Sequence, residues 1–90
     1  MLNALENLFK LARERKNTPV EGSYTNKLLS DKSLSKKKIL EEINELIEAV
    51  ENNSNKIHEA ADVLYHLIVY LEANGVKIED IMEELNKRKK

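Results

Sequence analysis

Residues 56–75, KIHEAADVLYHLIVYLEANG, decide the fold. Ile57, Ala60, Ala61, Val63, Leu64, Leu67, Ile68, Val69 and Leu71 recur at helical intervals and cover much of a helix's circumference. A helix that apolar is central, covered by neighbouring helices or by another subunit. Gly75 stands where a C′ glycine would end it, which predicts a helix over 56–74, with Ser54 or Asn55 able to cap its start. Upstream, Ile39, Ile43, Leu46, Ile47 and Val50 form one apolar face of a second long helix. It begins near Ser33 or Ser35, reaches residue 51 and is broken by the polar ENNSN.

Two further helices flank this pair. Residues 3–16 carry Leu5, Leu8, Phe9 and Ala12 as a buried stripe, and Asn3 with Glu6 has the form of a capping box. After Val76, Ile78, Ile81, Met82 and Leu85 point a last helix toward the core, and NKRKK closes it as a basic final turn. The segment NTPVEGSYTNKLLSDKS is the only loop-like composition, and it is expected to hold one short helical turn over 27–30. Pro19, Gly22 and Gly75 are the only Pro and Gly, and no stretch alternates like a strand. The expectation is therefore all-α: a single domain over 1–90, four main helices plus a short helical turn. A chain of ninety residues covers its apolar surface incompletely, so a homodimer is expected.

Composition narrows the chemistry. Charged residues make up 34% of the chain, but they nearly cancel to a net −1, which argues against a nucleic-acid binder built on a basic surface. With no cysteine, disulfides and thiolate metal sites are excluded. No apolar run approaches the roughly 20 residues needed to span a bilayer, and the N-terminus lacks a signal-peptide core. No membrane partner and a cytoplasmic location follow as expectations.

The acids carry the chemical signal. Glu41, Glu42, Glu45 and Glu48 fall one, three and three apart on the second helix; Glu59 and Asp62 are one turn apart on the third. Asp62 lies inside the most apolar stretch, where a carboxylate is costly unless paired or bound to metal. In an antiparallel hairpin, Glu42 and Glu45 can face Glu59 and Asp62. Four such carboxylates repel and raise one another's pKa values, a conflict that a divalent cation resolves. Oxygen ligands without Cys favour hard ions such as Mg²⁺ or Mn²⁺. Glutamate-rich helix faces are most often simply solvated, and spacing alone leaves both alternatives open.

At these residues the chain resembles the all-α nucleoside triphosphate pyrophosphohydrolases, whose pattern Glu-Glu-x-x-Glu followed by Glu-x-x-Asp reads here as EEINE at 41–45 and EAAD at 59–62. Three segments narrow the resemblance to the phosphoribosyl-ATP pyrophosphohydrolase family of histidine biosynthesis. PVEGSYTNKLL at 19–29 looks like that family's Pro-Glu-Gly-Ser-Tyr-Thr signature with Val20 inserted or substituted. A basic run ends in Lys38 three residues before Glu41, and EAADVLYHLIVYL at 59–71 is close to the family's helix throughout. Leu40 and Ile43 depart from the Gly and Ala that usually flank the Glu-Glu pair, and Lys77 replaces a capping Ser.

The resemblance implies a homodimeric bundle hydrolysing phosphoribosyl-ATP to phosphoribosyl-AMP and pyrophosphate. Mg²⁺ would be held by Glu42, Glu45, Glu59 and Asp62, and Glu41, Glu42 and Glu45 would be the catalytic acids. Glu41 would assist the attacking water or bind a second ion. Ser23, Tyr24 and Thr25 would contact substrate, with Lys27 and Lys38 as point charges for its phosphates. His66, one turn after Asp62, is expected to hydrogen-bond it, although a packed core histidine is the plainer alternative. His58 reads as surface; Arg13 and Arg15 on the first helix could serve as phosphate ligands, although an exposed helix end is the plainer alternative. Two other functions compete: a general nucleoside triphosphate pyrophosphohydrolase, which would not need GSYTNKLL, and a non-catalytic dimerisation module with Asp62 salt-bridged to Lys38.

Overall fold

The computed structural model describes residues 1–89, and all the regular structure among them is helical: α1 (Asn3–Asn17), α2 (Tyr24–Ser30), α3 (Lys32–Asn52), α4 (Lys56–Ala73) and α5 (Ile78–Arg88). No helix among them is long and apolar enough to cross a membrane. Lys90, the last residue of the basic closing run, lies outside the described residues.

The long α3–α4 hairpin is the frame. α3 stops because Asn53 turns left-handed (φ +53°), so that Ser54 N–H reaches Ala49 O and Asn53 N–H reaches Val50 O, the two bonds of a Schellman cap. Asn55 is also left-handed (φ +47°) and sets the start of α4 through its backbone alone; neither it nor Ser54 caps the helix with its side chain. α4 ends as expected on Gly75 (φ +72°), where Val76 N–H reaches Leu71 O and Gly75 N–H reaches Glu72 O.

Other boundaries differ from expectation. Asn3 is helical rather than a cap: the carbonyl of Leu2 takes the first amides, and no side chain caps α1, so the expected capping box is absent. α3 is capped by Asp31, which accepts Leu34 N–H at 3.0 Å, while Ser35 is buried inside the helix. The short turn expected at 27–30 is a seven-residue helix, because Ser23 Oγ accepts Asn26 N–H and starts it earlier.

The core joins Leu28 and Leu29 of α2 to Val69 and Ala73 of α4, with Leu34 and Tyr65 packed against it and Ala12 of α1 fully buried. Burying a Leu or Val side chain contributes about 1.5–3 kcal/mol, so α2 is a structural element as much as a loop. The face that α3 turns inward is Ser35, Ile39, Glu42, Leu46 and Ala49, at intervals of four, three, four and three. That stripe is rotated from the expected apolar face. Leu40, Ile43, Ile47 and Val50 instead lie along the outside, up to 56% exposed, and Ile57 and Leu64 of α4 are exposed as well. α5 buries no residue, and Met82 and Leu85 are exposed rather than in the core. It is tied to α1 by a bidentate Arg13–Glu79 ion pair at 2.7 and 2.8 Å.

Candidate active site

α4 turns inward a stripe that also alternates intervals of three and four: Glu59, Asp62, His66, Val69 and Ala73. Its carboxylates meet Glu42 because all three stand where an ordinary hairpin would place leucines. Carboxylate oxygens of Glu42, Glu45 and Glu59 lie within 4.8 Å of one another, and Glu59 also groups with Asp62 and His58 within the same span. The expected set of four is thus brought together around Glu59. Oε2 of Glu42 and Oε2 of Glu59 are buried without a hydrogen-bond partner. An orphaned carboxylate oxygen is costly, and these two have the right chemistry for a hard divalent cation. Burial first, then the neighbouring charge of Glu45, pushes the pKa values of both Glu42 and Glu59 above the ordinary carboxylate value.

The remaining acids are placed differently. Glu41 lies outside both groups and pairs with Lys38 at 3.4 Å. Lys38 therefore does not reach Asp62, as a purely structural salt bridge would have required. Asp62 is half-buried and has His58 Nε2 3.3 Å from its Oδ2. His58 is exposed, as a surface histidine should be, yet it touches the site.

His66 does bond Asp62, but through the main chain: its Nδ1 is 2.9 Å from the Asp62 carbonyl. A carbonyl only accepts, so Nδ1 carries the proton, and in the neutral ring Nε2 is left to accept from the Tyr24 hydroxyl at 3.2 Å. Tyr24 in turn stacks on Tyr65, with the His66 ring edge-on to both. Burial raises the Tyr24 pKa, so it stays a donor. This chain fixes α2 against the acidic hairpin. Thr25 belongs to the same packing: it is buried, and its hydroxyl bonds that of Tyr65.

Beyond Tyr24 opens a cleft of about 710 Å³ between the end of α1 and α2, lined among others by Arg15, Lys27, Gly22, Ser23 and Tyr24. Ser23 and Lys27 thus face this cleft, while Lys38 stays on α3 beside Glu41. Periodicity gives no hint of Asn26, which staples the cleft. Its Oδ1 accepts Val20 N–H at 2.9 Å and its Nδ2 donates to Arg15 O at 2.7 Å. Its one signal in the sequence is its place inside PVEGSYTNKLL, a segment that carries the family resemblance.

The profile of the family described as phosphoribosyl-ATP pyrophosphohydrolase matches residues 3–89. A phosphoribosyl-ATP pyrophosphatase of Bacillus cereus is 47% identical over 98% of this chain and 85% of its own length. One from Clostridium acetobutylicum is 44% identical over 93% of this chain and 79% of its own length. A histidine biosynthesis bifunctional protein, HisIE, of Pyrococcus furiosus is 42% identical over 99% of this chain and 43% of its own length.

Proposed function

Since this chain belongs to the phosphoribosyl-ATP pyrophosphohydrolase family, an enzyme family that hydrolyses a phosphoric anhydride, we propose that it converts phosphoribosyl-ATP and water to phosphoribosyl-AMP and pyrophosphate in histidine biosynthesis. The observation that carries the proposal is the pair of buried, unpartnered oxygens on Glu42 and Glu59, two members of a three-carboxylate cluster. A helical structural protein has no use for such a cluster. A divalent-metal hydrolase does.

Glu42, Glu45 and Glu59 would hold Mg²⁺, or Mn²⁺ in its place, with Asp62 beside them. When bound, the ion would neutralise the triphosphate and lower the pKa of a water. Water adds at the phosphorus nearest the ribose, and the anhydride bond to the leaving pyrophosphate breaks. Glu41 lies outside the cluster and is the carboxylate we assign to take the proton of that water, with Lys38 balancing its charge before substrate arrives. Tyr24, held by His66, closes the site from the side of α2 and keeps solvent from the departing phosphates.

The apolar strip of Leu40, Ile43, Ile47 and Val50 supports a homodimer, as a row of half-exposed apolar residues is what a second copy would cover. The uncovered surface is mostly on α3; α4 adds only Ile57, Ala61 and Leu64. We propose the cytoplasm as the place of the reaction.

The deciding assay compares pyrophosphate release from phosphoribosyl-ATP, ATP and dUTP, with Mg²⁺ and with excess chelator. Strong preference for phosphoribosyl-ATP, lost on chelation, is the expected outcome. Equal rates on all three would favour the general pyrophosphohydrolase, and no release from any would favour a dimerisation module.

A further inference from the structure

Phosphoribosyl-ATP differs from ATP by a second ribose that ends in a phosphate monoester. We infer that the cleft between α1 and α2 is the subsite for that monoester and that Arg15 is the residue that reads it; this rests on the function proposed above.

The cleft cannot serve the metal. None of Glu42, Glu45, Glu59 and Asp62 lines it, and its wall carries Arg15, Lys16 and Lys27 against one acid, Glu21. Lys16 is already committed, with its ammonium donating to Glu72 O at 2.7 Å. Arg15 is not. Its Nη1 donates to Ser23 Oγ at 2.8 Å, and no carboxylate of the described residues pairs with it. A guanidinium has five N–H donors in a planar fork that suits phosphate, so most of those donors remain for a ligand.

The neighbouring groups add donors and remove acceptors. Ser23 Oγ accepts from both Arg15 and the Asn26 amide, which occupies its lone pairs and leaves its own proton to donate. Asn26 spends both ends of its side chain on Val20 and Arg15, and this fixes the loop before any ligand arrives. Lys27 adds a second cation on the α2 wall. Such a wall, with the Ser23 and Asn26 side-chain oxygens already accepting and with Arg15 and Lys27 set against the one acid Glu21, favours an anion. Its size lies within the usual range for small-molecule sites, about 300–1,000 Å³.

Tyr24 supplies the connection. It lines the cleft, and its hydroxyl reaches His66 on the acidic stripe of α4. One ligand lying across Tyr24 would thus meet carboxylates with its triphosphate and Arg15 with its far end. A simple nucleoside triphosphate has nothing for that far end.

The test uses Arg15→Ala and Arg15→Lys in the full chain, with Lys27→Ala as a second, exposed probe of the same wall. KM and kcat are measured on phosphoribosyl-ATP and on ATP, and ribose 5-phosphate is titrated by calorimetry. Arg15→Ala should raise KM for phosphoribosyl-ATP at least tenfold with a smaller change in kcat, and its loss on ATP should be at least tenfold smaller. Arg15→Lys should recover part of the loss. Ribose 5-phosphate should bind the parent and bind Arg15→Ala more weakly. Equal losses on both substrates, or unchanged ribose 5-phosphate binding in Arg15→Ala and Lys27→Ala, overturn the subsite. A parent inactive on phosphoribosyl-ATP defeats the proposed function instead, and the calorimetry still decides whether the cleft holds a phosphate monoester.

Discussion

Replacing Glu42 by Gln should make the metal-free protein more stable while destroying its response to metal. Glu42 occupies a core position on α3, with one oxygen buried and unpartnered and the carboxylates of Glu45 and Glu59 within 4.8 Å. At 4.8 Å two unit charges repel by about 0.9 kcal/mol in water and about 3.5 kcal/mol at an effective dielectric of ~20. Glu45 is exposed, so the lower figure governs, and relief of the Glu42–Glu45 repulsion should contribute about 1 kcal/mol. For a domain of this size that raises the melting temperature by roughly 4–8 °C. Metal reverses the order. At a hundred times its Kd, Mg²⁺ stabilises the parent by about 2.7 kcal/mol, whereas the variant has lost a ligand and should respond little. The assay is thermal denaturation at one protein concentration, with chelator and with saturating Mg²⁺. The reasoning is refuted if the variant melts below the parent in chelator, or if Mg²⁺ raises both equally.

Other outcomes follow from the same geometry. The pKa values of Glu42 and Glu59 are raised above the ordinary 4.5, so the native state holds these protons more tightly than the unfolded chain. The contribution of these two groups to metal-free stability should therefore fall as pH rises from about 4.5 through the raised values, while Mg²⁺ affinity climbs; melting curves and metal titrations across that window check both signs. Glu79, held at about 2 by Arg13, behaves oppositely. Its contribution is intact above 4.5 and lost as pH falls toward 2, and amide exchange in α5 should accelerate over that interval. Ile47→Lys should yield a folded monomer in sedimentation, and a dimer of unchanged strength would mean that the α3 strip is not the interface. Thr25→Ala should cost about 1 kcal/mol by chemical denaturation, since it removes a buried hydroxyl from Tyr65; a variant as stable as the parent would show that bond to be worthless.

Helix number, order and the acidic motifs were legible in the sequence because they rest on local spacing. The face of α3 was not. Ile43, Ile47 and Val50 are as apolar as Ile39 and Leu46, and periodicity records that a residue avoids water without saying whether its own chain or another copy covers it. By sequence Glu42 falls only beside the Ile39, Ile43 and Leu46 face, whereas in the fold it stands in the middle of the inward stripe. Caps failed for a different reason: Asn3 and Asp31 are both good N-cap types, and only the chain path decides which of them is used. Arg15 could be placed in the sequence no more closely than as an exposed helix end or a phosphate ligand, and Asn26 not at all, because their contacts are made by a fold-back of eight to eleven residues, which no helical period encodes.

The three-residue turn between α3 and α4 has little slack, with two of its residues already left-handed. That makes chain length a constraint on chemistry. One extra residue in α4 before Glu59 would swing that acid about 100° around the helix and off the inward stripe. Seven would bring it back to within about 20°, but one turn-pair further from Glu42, unless α3 gained seven as well. Insertions that a surface turn normally absorbs would here silence the enzyme. This hairpin could lengthen only by steps that restore the face, such as seven or eleven residues, added to both arms at once.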